Sequence, residues 1–167
     1  MARWSKQQAK DWYLDQPWLI GCNFLPSSAI NQLEMFQQDT YDRKTIEREI
    51  KWARSLGFNS LRIYLHDLLW CEDPKGFCGR LDDLLNICDK HFIRPILVLF
   101  DDCHRPYPKL GKQPLPVSGV HNSGWKQSPG VELVHAIQAD TACEEVFRLK
   151  EFVQGVLTEF AEDQRIL

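Results

Sequence analysis

Pro95-Ile96-Leu97-Val98-Leu99-Phe100 is the stretch on which the reading of this chain turns. It is short, carries no charge and is closed off by Asp101-Asp102. A strand with one wet face alternates apolar and polar side chains. A run that is apolar at every position belongs instead to a parallel sheet buried from both sides.

The segments around it repeat one pattern. Upstream, Phe77, Leu81, Leu84, Leu85 and Cys88 recur at helical spacing. Before them, Ser60-Leu61-Arg62-Ile63-Tyr64-Leu65 reads as a second strand. An earlier helix is expected from Asp42, a good N-cap, to just before Gly57, with Ile46, Ile50, Ala53 and Leu56 on one face. The first strand of the series is Trp18-Leu19-Ile20-Gly21-Cys22-Asn23-Phe24, stopped by Pro26-Ser27-Ser28. Downstream of Phe100, roughly forty residues rich in Pro, Gly, His and Trp intervene, a length that is usually functional when it lacks regular structure. A last helix is expected to open on a capping box, Thr141 with Glu144, and to carry Leu149, Phe152, Val153, Val156, Leu157 and Phe160 on one stripe. Asp163-Gln164-Arg165-Ile166-Leu167 then reads as the entry to a fourth strand.

Three βα units in series make an α/β protein with a parallel sheet and right-handed crossovers. A closed TIM (β/α)8 barrel takes about 250 residues. Residues 1–167 are therefore expected to form the N-terminal portion of such a barrel: about three βα units and a strand-four stub, in one partial domain. A flavodoxin-like open sheet is the alternative, and the long segment after strand three fits it poorly.

Composition removes several classes of function. The net charge of −3, with Lys and Arg dispersed along the chain, argues against a nucleic-acid partner. No apolar run approaches the ~20 residues that span a bilayer, so no membrane partner is expected. The start, Met1-Ala2-Arg3-Trp4-Ser5-Lys6-Gln7-Gln8, has no apolar stretch behind its positive charges. A secretory leader is thus not expected, and a cytoplasmic location is. The six cysteines contain no Cys-x-x-Cys pair and read as mostly buried free thiols, so no metal or other cofactor is expected. No nucleophile elbow, phosphate loop or His-Glu-x-x-His occurs.

In parallel barrels chemistry sits at the C-terminal strand ends. Those ends hold Asn23, Gln32 and Glu34 after strand one, and Arg62, His66, Asp67 and Trp70 in and after strand two. After strand three come Asp101, Asp102 and His104, then His121, Asn122 and Trp125. Arg62 lies between apolar neighbours, where an unpaired charge is costly. His66 and Asp67 serve either a site or a loop cap. Trp70 and Trp125 serve either as sugar platforms or as packing. His91 reads as a surface or helix-capping histidine.

Three segments resemble one known group. Pro17-Trp18-Leu19-Ile20-Gly21-Cys22-Asn23-Phe24-Leu25-Pro26-Ser27-Ser28-Ala29-Ile30-Asn31-Gln32-Leu33-Glu34-Met35 is similar to the opening of bacterial glycoside hydrolases often labelled 1,4-β-xylanase or cellulase-like. These are related to the family 5 and family 2 barrels. Leu61-Arg62-Ile63-Tyr64-Leu65-His66-Asp67-Leu68-Leu69-Trp70 and Val120-His121-Asn122-Ser123-Gly124-Trp125 resemble the same group, and the likeness runs from about Trp12 to Leu167. It implies a retaining mechanism with two glutamates on strands four and seven, the first within Asn-Glu-Pro. No glutamate here precedes proline, so no catalytic residue is expected in this chain, which is expected to be inactive alone. The resemblance implies that Arg62 is the strand-two arginine that holds the nucleophile ionised. It places His66 and Asp67 near the sugar pocket and lets Trp70 and Trp125 stack on sugar. Carbohydrate is the expected partner. A carbohydrate-binding protein without catalysis remains open, as does a half-barrel that pairs with itself or with a companion C-terminal half.

Overall fold

A computed structural model describes residues 3–139 and 143–167. The elements run α1 (Lys6–Asp15), β1 (Gly21–Asn23), α2 (Gln32–Phe36), α3 (Arg43–Ser55), β2 (Ser60–Tyr64), α4 (Asp67–Glu72), α5 (Pro74–Lys90), β3 (Arg94–Val98), α6 (Val131–Gln138) and α7 (Cys143–Phe160). The protein is therefore α/β, with one three-stranded sheet in the order β1-β2-β3, parallel throughout.

The two central helices form for local reasons. Asp42 caps α3 by accepting the Thr45 N–H at 3.1 Å. The chain leaves α3 through Gly57 at φ 91°, a left-handed position that glycine takes without cost. Asp73 caps α5 ahead of Pro74, whose missing N–H is no loss in a first turn. Ile46, Ile50 and Ala53 of α3 are buried, as are Phe77, Leu81, Leu84, Leu85, Ile87 and Cys88 of α5. Leu56, expected on the buried face of α3, is instead the C-cap and 74% exposed. On α7 the buried set is Phe152, Val156 and Phe160, while Leu157 faces solvent. The proposed cap at Thr141 lies outside the described residues.

Core and sheet define one covered face. Leu61 and Ile63 of β2 join the α3, α5 and α7 residues in a single buried cluster. On the other face Asn23, Arg62 and Ile96 stand side by side in register, and all three are exposed. Among the described residues, helical cover thus lies on one side of β2, and the side that carries Arg62 is bare.

The strands are shorter than the apolar runs. Within the first run the strand is Gly21–Asn23, and Trp18 is 83% exposed. Ahead of the strand, the Ile20 N–H goes to the Asn59 side chain at 2.8 Å. β3 ends at Val98 because the Leu65 N–H, donated to Val98 O at 2.9 Å, is the last rung before β2 turns into α4. The stretch from 163 to 167 forms turns rather than a strand. Its last amide, Leu167 N–H, nevertheless donates to Pro95 O at 3.0 Å, alongside β3. Arg165 pins this tail to α5 through Asp82 at 2.7 Å and Asn86 at 2.7 Å.

Candidate functional site

The strand ends are tied together by one serine. Ser128 exchanges two backbone hydrogen bonds with Asp101 just past β3, both 2.8 Å. Its hydroxyl donates to Asp67 Oδ1 at 2.6 Å and accepts the Asp67 N–H at 3.2 Å. The long segment therefore folds back and fastens the exit of β2 to the exit of β3. It is held on its other side by α2. Gln32 donates to Lys126 O at 2.7 Å, and the buried Asn31 amide donates to Gly124 O and Gln113 Oε1, each at 2.9 Å.

His66 caps α4 and is fully buried. Its Nδ1 lies 3.2 Å from Asp67 Oδ1 and also 3.2 Å from the Leu68 amide. Nδ1 accepts the Leu68 N–H, which is how His66 caps the helix, while its buried Nε2 has no hydrogen-bond partner among the described residues. Burial works to raise the Asp67 carboxyl, but His66 and the Ser128 hydroxyl outweigh it and hold the group below its ordinary value. Asp101 behaves alike. Burial is opposed by the Cys103 thiol, the Cys103 amide and His104, and the net shift is downward.

A file of stacked groups crosses the rim. The Arg62 guanidinium lies 5.2 Å from the Tyr64 ring centre and donates to Asn23 Oδ1 at 3.3 Å. Tyr64 meets Trp125 edge to face at 5.0 Å, and Trp125 lies 5.0 Å from the His104 ring. His104 Nδ1 is bonded to Asp101 Oδ2, and His104 Nε2 faces the Asn122 amide nitrogen at 3.5 Å. Asn122 takes φ 50°, a left-handed turn that asparagine tolerates. Beside this file a cavity of about 490 Å³ opens between the β1 loop and the long segment, with Glu34, Lys112, Gln113, Asn122 and Trp125 among its walls.

Most of the expected site residues come together here: Asn23, Arg62, His66, Asp67, Asp101, Asn122 and Trp125. Two do not. Trp70 lies on α4, with its ring 6.3 Å from Phe152 of α7 and against Gly155, so it is a packing residue. His121 is exposed and outside the file. Trp125 is only 7% exposed, a wall rather than an open platform. Asp102 points to solvent while its neighbour Asp101 is buried, the divergence expected of adjacent residues at a strand end. Sequence reading missed Tyr64 and Ser128. Tyr64 was legible two residues after Arg62 on the same strand face. Ser128 carries no local signal, because its partners stand 61 and 27 positions earlier.

No protein-family model, curated protein or solved structure matches this chain. No helix among the described residues is long and apolar enough to cross a membrane.

Proposed function

We propose that residues 1–167 form the first three βα units of a (β/α)8 barrel of the glycoside hydrolase kind, which supply part of a sugar-binding rim. The catalytic glutamates then stand on strands beyond these three. The observation that carries this reading is the bare sheet face. A doubly wound sheet has helices on both sides and a reversal of strand order. Sequential order with cover on one side is the arrangement of a barrel, whose uncovered face packs against its own remaining strands.

Arg62 sits in the middle of that face, and among the described residues its partners are the neutral Asn23 amide and the Tyr64 ring. In this reading its guanidinium takes a carboxylate from across the barrel, the role that the resemblance implies. Asp67 and Asp101 are held ionised, the reverse of what a proton donor to a leaving oxygen needs. The chain alone should therefore turn over no glycoside.

Two measurements test the proposal. Aryl glycosides are assayed for hydrolysis, and xylo-, cello- and manno-oligosaccharides are titrated calorimetrically. Heat from at least one sugar series with no turnover supports the reading. Turnover that a single substitution in this chain abolishes overturns the placing of the catalytic pair elsewhere, and no heat from any series overturns the sugar rim.

A half-barrel that pairs with a second copy is favoured by one further observation. Trp18, Leu19, Ile20, Ile96 and Phe100 are all exposed apolar side chains on or next to the sheet. A discrete dimer in sedimentation supports that assembly, and a well-folded monomer refutes it.

A further inference from the structure

We propose that Asp101, Cys103 and His104 form a binding site for a single divalent zinc-class cation, at the exit of β3 and independent of the glycosidase reading. One ligand atom from each residue comes together, all three within 4.8 Å of one another. Cys103 Sγ lies 3.1 Å from Asp101 Oδ1 and 3.8 Å from His104 Nδ1, and His104 Nδ1 is bonded to Asp101 Oδ2. Zinc bonds of about 2.0–2.3 Å in tetrahedral geometry put ligand atoms about 3.3–3.8 Å apart, so small side-chain rotations suffice. A short Asp turn accounts for the carboxylate accepting the Cys103 N–H at 3.1 Å. It does not account for a thiol and an imidazole nitrogen both meeting the same carboxylate.

Ligand chemistry selects the metal. One carboxylate oxygen, one sulfur and one imidazole nitrogen suit borderline zinc, and neither magnesium nor calcium, which require oxygen. Three protein ligands leave the fourth position open, and Cys103 is the exposed member, so that position faces solvent. An outer partner is also in place. When Nδ1 binds the metal, the imidazole proton moves to Nε2, where the Asn122 amide already stands at 3.5 Å. Turning that amide over presents its oxygen to the new N–H. The proton balance is simple: the dication replaces the thiol proton, and one H⁺ is released per ion bound. The proposed site departs from the expectation that the chain holds no metal. Its three ligands span only four positions, with no Cys-x-x-Cys spacing to announce them.

The test uses the full chain, stripped of metal and kept reduced without chelating thiols, and titrated with Co²⁺ alone. A near-ultraviolet sulfur-to-cobalt charge-transfer band should grow to one equivalent, and Zn²⁺ should bleach it. Cys103→Ser should abolish the band, and Cys71→Ser, which alters another exposed thiol, should leave it intact. Asn122→Gly keeps the left-handed turn and should weaken Co²⁺ binding about 10–100-fold. Circular dichroism checks that each variant is folded. Absence of the band in the folded parent overturns the site. So does a band that survives Cys103→Ser, or binding that Asn122→Gly leaves unchanged in the outer-partner role assigned to Asn122.

Discussion

Trp70 offers the sharpest test of how the rim is divided from the core. The resemblance makes it a sugar platform, whereas the fold packs its ring against Phe152 and over Gly155 of α7. A Cβ added at Gly155 would stand 1.9 Å from Trp70 Cη2 and 2.2 Å from Cζ2. Ordinary contact returns only if the ring retreats by about 1.5 Å, and overpacking of that kind costs ~1–3 kcal/mol. Alanine is meanwhile the better helix former, by ~1 kcal/mol in a helix interior. Gly155→Ala should thus be neutral to destabilising, by up to ~2 kcal/mol. Trp70→Ala removes a half-buried ring and should cost ~2–3 kcal/mol, less than a fully buried tryptophan. In the double variant the obstacle is gone, so Gly155→Ala should stabilise the Trp70→Ala background by up to ~1 kcal/mol. The sign of one substitution reverses with the other, which is a coupling only direct contact gives.

Urea or thermal unfolding of the four proteins measures it. At ~2–4 °C per kcal/mol for a chain of this size, Trp70→Ala should lower Tm by ~5–10 °C. An unchanged Tm in Trp70→Ala, with sugar binding lost, would refute the packing role. Equal effects of Gly155→Ala in both backgrounds would refute the contact itself.

Two further outcomes follow from buried groups. Ser128→Ala should cost about 2 kcal/mol at neutral pH, the range for a hydrogen bond to a charged group. Because Asp67 is held below its ordinary value when folded, its contribution is full above the unfolded carboxylate pKa of about 4 and is lost as pH falls through the folded value. The penalty of Ser128→Ala should accordingly shrink on acidification, and denaturant melts at several pH values would show whether it does. Cys88 is fully buried and its thiol is pushed up to about 12, by burial. Peptide mapping after treatment with a disulfide reagent should find it unmodified in the native chain and modified in denaturant. Rapid native labelling would contradict the packing of α5.

The sequence was most legible where burial and capping coincide. α3 lies where its aspartate cap and apolar face placed it, and α5 where its apolar spacing did, with the Asp73 cap not read from the sequence. α1 has a complete capping box, Ser5 with Gln8, yet none of its residues is buried, so no apolar period marks it. α6 was hidden in the long segment for a related reason: it too buries no residue. β3 was overextended because apolar character continues to Phe100 while its partner strand does not. Trp70 was grouped with His66 and Asp67 by closeness in sequence, but α4 intervenes and carries it round to α7. The bare face is different in kind, since no single run states which side of a strand the helices will choose.

The rim meets that bare face at the stack of Arg62 on Tyr64 and is otherwise held by its own contacts. Ser128 fixes Asp67 and Asp101 in place, and Trp125 is wedged between Tyr64 and His104, all with partners from the described residues. Arg62 faces outward in a row with Asn23 and Ile96, and in the proposed reading its guanidinium gains most from a carboxylate on the strands that cover it. In the proposed reading, the groups at the strand ends are thus preorganised within residues 1–167, whereas the charge on the sheet face meets its carboxylate only when further strands cover it. In such a division, changes at Ser128 or Trp125 act on the rim with or without a partner. A change at Arg62 acts on the rim through Tyr64 and Asn23, and in the proposed reading gains a carboxylate to act on once the face is covered.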